Sequence, residues 1–239
     1  MPQRQAHRGK HPEDGRLFSA DRIPDLRRAT ADLSILLDRG YSETASLKLV
    51  GDRYQLDARQ RRAVVRAACP DQTIRERQAR NVSFSDLQNN VVDIDGYNLL
   101  ITAESILSGG VVLRCRDTCI RDIASLHGSY HYVEETLAAI QLIGKVLQEA
   151  RPARVLWHFD APVSNSERLK QLVERISNDR ALPWEAVVEA NPDVPLALSQ
   201  GIVVTSDRWI LDRAARWTNL AQELLMRCPE ACCTLIDLS

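Results

Sequence analysis

Apolar residues recur at two different spacings along this chain, and the change of spacing divides it. Between residues 22 and 68, Leu26, Ala29, Leu33, Leu36 and Leu37 repeat at helical intervals, with Asp21 placed to cap the start. Arg39-Gly40-Tyr41 breaks that pattern. Ser42 then opens a second helix through Ala45, Leu47, Leu49 and Val50, with Gly51 as its end. Asp57 with Gln60 three residues on is a capping-box spacing that predicts a third helix, ending near Ala68 ahead of Pro70. From residue 90 onward short β-branched runs alternate with amphipathic stretches. Strands are expected at 91–95, 111–115, 155–159, 184–188, 202–205 and 234–238, and helices at 99–107, 134–149, 166–176 and 206–216. That alternation implies βαβ units and a parallel sheet flanked by helices. The polar stretch 71–89 reads as a linker, and 1–20, with almost no apolar residue before Leu17, as a disordered basic tail. The expected organisation is a tail over 1–20, a small all-α domain over 21–80 and an α/β domain over 90–239.

Charge sharpens this division. The net charge is only −1, yet residues 1–80 carry 17 Lys/Arg against 11 Asp/Glu, leaving the remainder acidic. A basic half beside an acidic half suits a nucleic-acid grip next to a cation site, or two solvated surfaces. The third helix carries Arg59, Arg62 and Arg66, which could track a phosphate backbone, face solvent or dock the second domain. No apolar stretch is long enough to span a membrane and the N-terminus lacks a signal-peptide core, so a cytoplasmic location is expected. Six cysteines are present; Cys115, Cys119, Cys228 and Cys232 could supply a zinc site, but no Cys-x-x-Cys pair occurs and plain thiols are the simpler expectation.

The placement of the acids carries the most information. Asp95 ends the first α/β-domain strand, Asp160 ends the run 155–159, and Asp207 follows 202–205. In open parallel sheets ligands bind at the C-terminal strand edge, so the three carboxylates are expected to converge there. Converging carboxylates repel unless a cation sits among them, and oxygen-only ligation suits Mg²⁺ or Mn²⁺. Such a centre can hydrolyse phosphodiesters. The alternative is that each acid caps a helix. Asn98, after Gly96 at a tight turn, and Ser164, at a helix start, could orient acids or a phosphate.

Asp95-Gly96-Tyr97-Asn98, Asp160-Ala161-Pro162-Val163-Ser164 and Thr205-Ser206-Asp207-Arg208 resemble the PIN/NYN-like nuclease superfamily. From about residue 24, with Arg39-Gly40-Tyr41 and Leu49-Val50-Gly51-Asp52-Arg53-Tyr54, the chain resembles an uncharacterised prokaryotic family that joins a small helical domain of unknown function to a PIN-like domain. The resemblance implies a Rossmann-like sheet and a ribonuclease with Asp95, Asp160 and Asp207 as metal ligands and Glu104 and Asp122 as further acids. RNA is the implied partner, and the helical domain is open to RNA, a protein partner, a second copy or the PIN-like domain itself. The acidic-Gly pattern expected around Asp117 reads Arg116-Asp117-Thr118 instead. Two rivals remain. Asp93-Ile94-Asp95-Gly96 satisfies the opening of haloacid-dehalogenase-type phosphatases, with Asp93 as nucleophile, although Tyr97 stands where a Thr is usual. Under the nuclease reading Asp93 is expected to point away from the metal acids. The other rival is a catalytically inactive RNA-binding or adaptor protein.

Overall fold

The computed structural model describes residues 7–124, 130–228 and 233–239. Its N-terminal helices are α1 (Asp14–Leu17), α2 (Ile23–Asp38), α3 (Glu43–Arg53), α4 (Ala58–Ala67) and α5 (Asp71–Gln78). Then come β1 (Val91–Asp95), α6 (Gly96–Ser108), β2 (Val111–Arg114), β3 (Ile120–Asp122), α7 (Thr136–Ala150), β4 (Arg154–Asp160) and α8 (Ser166–Arg180). The chain continues through β5 (Trp184–Glu189), α9 (Asp193–Ala197), β6 (Ile202–Val204), α10 (Arg208–Leu211), β7 (Trp217–Thr218), α11 (Ala221–Arg227) and β8 (Thr234–Asp237).

Local sequence explains many of the boundaries. The Ser42 hydroxyl accepts the Ala45 N–H at the start of α3, and Asp57 with Gln60 forms the expected capping box on α4. Two expectations fail here. Asp21 does not cap α2, whose start has Pro24 in its first turn and no side-chain cap. Gly51 does not end α3 but lies inside it, where a Cβ would collide with the Arg61 guanidinium. The 71–89 stretch is not a bare linker, because α5 and a 3-10 turn (Phe84–Leu87) occupy most of it. Residues 7–20 are not a loose tail: Leu17 and Phe18 are buried, and Arg8 reaches into the core. Residues 1–6 of that tail lie outside the described residues. Instead of a helix over 206–216 there is the single turn α10 followed by β7.

The main sheet has the order β5-β4-β1-β6-β7, with every neighbouring pair parallel. Val92, Ile94, Val155, Trp157, Phe159, Ile202 and Val204 share one face and build the largest core with α6, α7, α8 and α11. Val203 lies on the other face, packed against Leu196 of α9 and Ile210 and Leu211 of α10. The period-two alternation of a strand puts Asp93 and Asp95 together on this second face. The expectation that Asp93 points away from Asp95 therefore fails.

β2, β3 and β8 do not extend that sheet. They form a second one, with β2 antiparallel to β3 and parallel to β8. The helical region packs onto this second sheet: Leu26, Leu33, Val64 and Ala67 share a core with Val111, Leu113 and Ile236. The helical region is thus one wall of a continuous structure.

Candidate active site at the C-terminal edge of the parallel sheet

β1 lies between β4 and β6, so the order of strand addition reverses at its two sides. That is where an open parallel sheet leaves a crevice beyond its strand ends. Four carboxylates are delivered to this rim. Asp95 and Asp160 are the last residues of β1 and β4, Asp207 follows β6, and Asp193 opens α9 after β5. An open cleft of about 180 Å³ is lined by Asp95, Asp193 and Asp207, with Tyr97, Asn98, Asp122 and Arg66 on its walls.

α6 starts at Gly96 with no intervening loop, so its positive end lies beside Asp95. Gly96 is needed there for close packing rather than for a turn, since a Cβ would come within 2.5 Å of the Phe159 ring and 2.7 Å of the His158 carbonyl. Asp95 occupies the N-cap position yet makes no side-chain cap. Its carboxylate accepts one hydrogen bond, from the Thr205 hydroxyl at 2.7 Å. Burial pushes Asp95 up to about 7, and the negative charges of Asp207, Asp193 and Asp160 push the same way. Asp160 is raised by burial and by Asp193, and Asp193 by burial and by Asp207. Asp207 does act as a helix cap: one of its oxygens accepts the Trp209 and Ile210 N–H groups at 2.8 and 3.2 Å. None of the four is neutralised by a basic side chain among the described residues. They form an electrostatically strained group, but among the described residues no three His, Cys, Asp or Glu are spaced to hold one metal ion.

Asp122 lines the same cleft, accepting from the Thr102 hydroxyl at 3.0 Å and the Ala124 N–H at 2.7 Å. Arg121 and Asp122 are both buried, and Arg121 turns to Asp117. Asn98 receives the Ser206 N–H and hydroxyl on its oxygen at 2.8 and 2.9 Å. This fixes the amide's orientation, and its NH₂ has no partner among the described residues. Arg66 reaches the cleft from α4, bonding the Asp122 and Ala124 carbonyls.

Other candidates stand elsewhere. Glu104 is fully buried and held by Arg8 (2.8 Å), Thr136 (2.6 Å) and the Tyr130 hydroxyl. Burial raises it despite Arg8. Two helical turns carry it about 12 Å along α6 from the cleft end. Ser164 exchanges hydrogen bonds with the Tyr130 backbone. Arg59 is clamped to Asp14 and the Gly9 carbonyl, and Arg62 does not line the acidic cleft. Asp93 is bound by His158 (3.2 Å) and Ser199 (2.5 Å), with Glu189 at 2.7 Å on the other imidazole nitrogen. Burial would raise Asp93, but these partners outweigh it and hold it below the usual range. Asp117 is gripped by Arg77 and Arg121, which hold it well below the usual range against the cost of burial. Cys69, Cys115 and Cys119 are buried thiols raised chiefly by desolvation, and Cys232 lies outside the described residues.

Asp193 was not singled out in the sequence, although the rule that picked the other acids applies to it. It follows a strand, but Ala190-Asn191-Pro192 intervenes and hides the connection. Arg208, beside Asp207, was also passed over.

An α/β protein with an uncompensated acidic crevice at its topological switch point is thereby defined. Residues 84–223, more than half the chain, match the family described as a domain of unknown function (DUF5616), and the chain belongs to that family. Residues 25–80 match a second family, described as a protein of unknown function (DUF434). An uncharacterised protein of Methanocaldococcus jannaschii is 27% identical over 186 residues, covering 78% of this chain and 88% of that protein. No solved structure matches the chain. No helix among the described residues is long and apolar enough to cross a membrane.

Proposed function

We propose that this chain is a divalent-metal-dependent ribonuclease whose α/β region is of the PIN/NYN-like type. One observation supports it above the rest: Asp95, Asp160, Asp193 and Asp207 share one strand edge with no basic partner among the described residues, and burial, reinforced by the three neighbouring charges, drives Asp95 up to about 7. A fold gains nothing from such repulsion by itself, and perturbed acids in a cleft are characteristic of functional sites. The donors suit a hard cation in kind, being all oxygen and free of competing arginines. Among the described residues no three of them are spaced around one point, so an Mg²⁺ or Mn²⁺ ion would bind through one or two carboxylates and keep most of its waters. Such an ion, held by Asp95 with one neighbouring aspartate and its own waters, would supply charge neutralisation at a phosphoryl oxygen and an activated water. The chain's own groups do the rest. The NH₂ of Asn98 donates to a phosphate oxygen, the Arg66 guanidinium balances charge at the cleft wall, and Asp122 holds the β3 end against α6 through Thr102.

A second reading, an RNA-binding protein without catalysis, draws on the absence of three ligands spaced for one ion among the described residues. Cellular RNA incubated with the protein and Mn²⁺, followed by sequencing of the RNA ends, separates the two. New ends should appear with the parent and fall at least about a hundredfold with Asp95→Asn. Identical end profiles for parent and variant would leave RNA binding as the better reading.

A further inference from the structure

A second cleft of about 230 Å³ adjoins the acidic one and shares Arg66, Asn98 and Asp207 with it. Its other walls are Arg121, Ser206 and Arg208. We infer that this cleft is a subsite for the backbone phosphate next to the one to be cut, built jointly by the helical region and the α/β region. The inference rests on the ribonuclease reading for its location and on the arginines for its ligand.

Three guanidinium groups from three different segments meet here. Arg66 comes from α4, Arg121 from β3 and Arg208 from the first turn of α10. Arg121 forms the fixed floor. It is only 4% exposed and is locked by two hydrogen bonds to Asp117 (2.7 and 2.6 Å) and one to the Ser206 carbonyl (2.9 Å). Arg66 is tied to backbone carbonyls at 3.1 and 3.4 Å, with the nearest carboxylate, Asp122, at 3.8 Å. Arg208 spends one hydrogen bond on Glu43 (2.8 Å) and one on the Ala68 carbonyl (3.2 Å). Among the described residues, more than half the N–H donors of Arg66 and of Arg208 remain uncommitted. Forked donors approaching from two sides suit the tetrahedral oxygens of a phosphate. The shared wall means that a strand lying with one phosphate over the acids places its neighbour between Arg66 and Arg208. Glu43 is exposed and competes with that phosphate for Arg208. The helical region thereby acquires a role: it supplies Arg66 as one jaw of the subsite and Glu43 as its competitor.

The test measures binding of a labelled single-stranded oligoribonucleotide to the full chain, by fluorescence anisotropy in EDTA over a KCl series, with thermal melts to confirm folding. Arg66→Gln and Arg208→Gln should each weaken binding roughly tenfold and flatten the log–log salt slope by about 0.7. Glu43→Gln should tighten binding about twofold or more by releasing Arg208. Should Arg208→Gln lose its fold, Arg66→Gln and Glu43→Gln carry the test. If Glu43→Gln weakens binding as Arg208→Gln does, Arg208 is only a strut and the subsite is wrong. Parent-like binding by both arginine variants, or no binding by the parent, also overturns it. Cleavage in Mn²⁺ is scored separately: cleavage with unaltered binding in the arginine variants removes the subsite and keeps the ribonuclease. Arginine-dependent binding without cleavage does the reverse.

Discussion

Asp95 and Asp117 are both buried aspartates on the α/β side of the molecule, and their surroundings treat them in opposite ways. Asp117 sits between Arg77 of α5 and Arg121 of β3, each within hydrogen-bonding distance, and its acidity is strengthened. Asp95 has a single hydroxyl donor and three neighbouring carboxylates, and its acidity is weakened to about 7. One carboxylate has its desolvation offset by the protein; the other does not. The difference separates an acid that joins parts of the fold from acids that leave a charge deficit for something else to fill. Asp117 joins α5 to β3 and, through Arg77, to Asp212 after α10. Among the described residues the four rim aspartates join nothing through ion pairs.

The largest effect that could break this comparison is at Asp117. Asp117→Asn leaves two buried guanidinium groups without their shared carboxylate, so about 3–5 kcal/mol of stability should be lost. Thermal unfolding should shift down by roughly 10 °C. A shift of a degree or two would mean that the arginines do not depend on Asp117. At Asp95 the sign reverses. Its acidity is weaker folded than unfolded, so its contribution is intact below about pH 4 and is lost as pH rises towards 7. Metal-free protein should therefore weaken over that window by up to about 4 kcal/mol from this group. Asp95→Asn should be the more stable form at pH 8 and should lack that component of the pH profile. Denaturant melts of both forms at pH 5 and pH 8, without metal, read this directly; parallel profiles would show that Asp95 is not strained.

How far these two environments are legible in sequence depends on the range of the interactions. Asp95, Asp160 and Asp207 could be picked out because each follows a short apolar run, which is a local pattern. The parallel sheet was legible for the same reason. Asp117's role was not, since its partner Arg77 lies in a stretch whose polarity reads as a linker, and only the packing of α5 brings them together. Glu104 entered as a further acid through the family resemblance, but the rise of α6 carries it into the core and towards Arg8. Of the arginines on α4, only Arg66 reaches the rim, a selection made by how α4 lies on the second sheet. That sheet was itself hidden, because β2 pairs with β8 across more than a hundred residues. Asp93 and Asp95 differ by context: both lie on one strand face, yet His158 and Ser199 occupy the first.

The most direct measurement is a calorimetric titration of Mn²⁺ into the metal-free protein at pH 7.5, with Asp95→Asn and Asp207→Asn as comparisons. The account predicts saturable heat with proton release for the parent, and its loss in both variants. No metal-linked heat in the parent, or equal heat in all three proteins, would contradict the claim that these carboxylates are left unpaired in order to hold a cation.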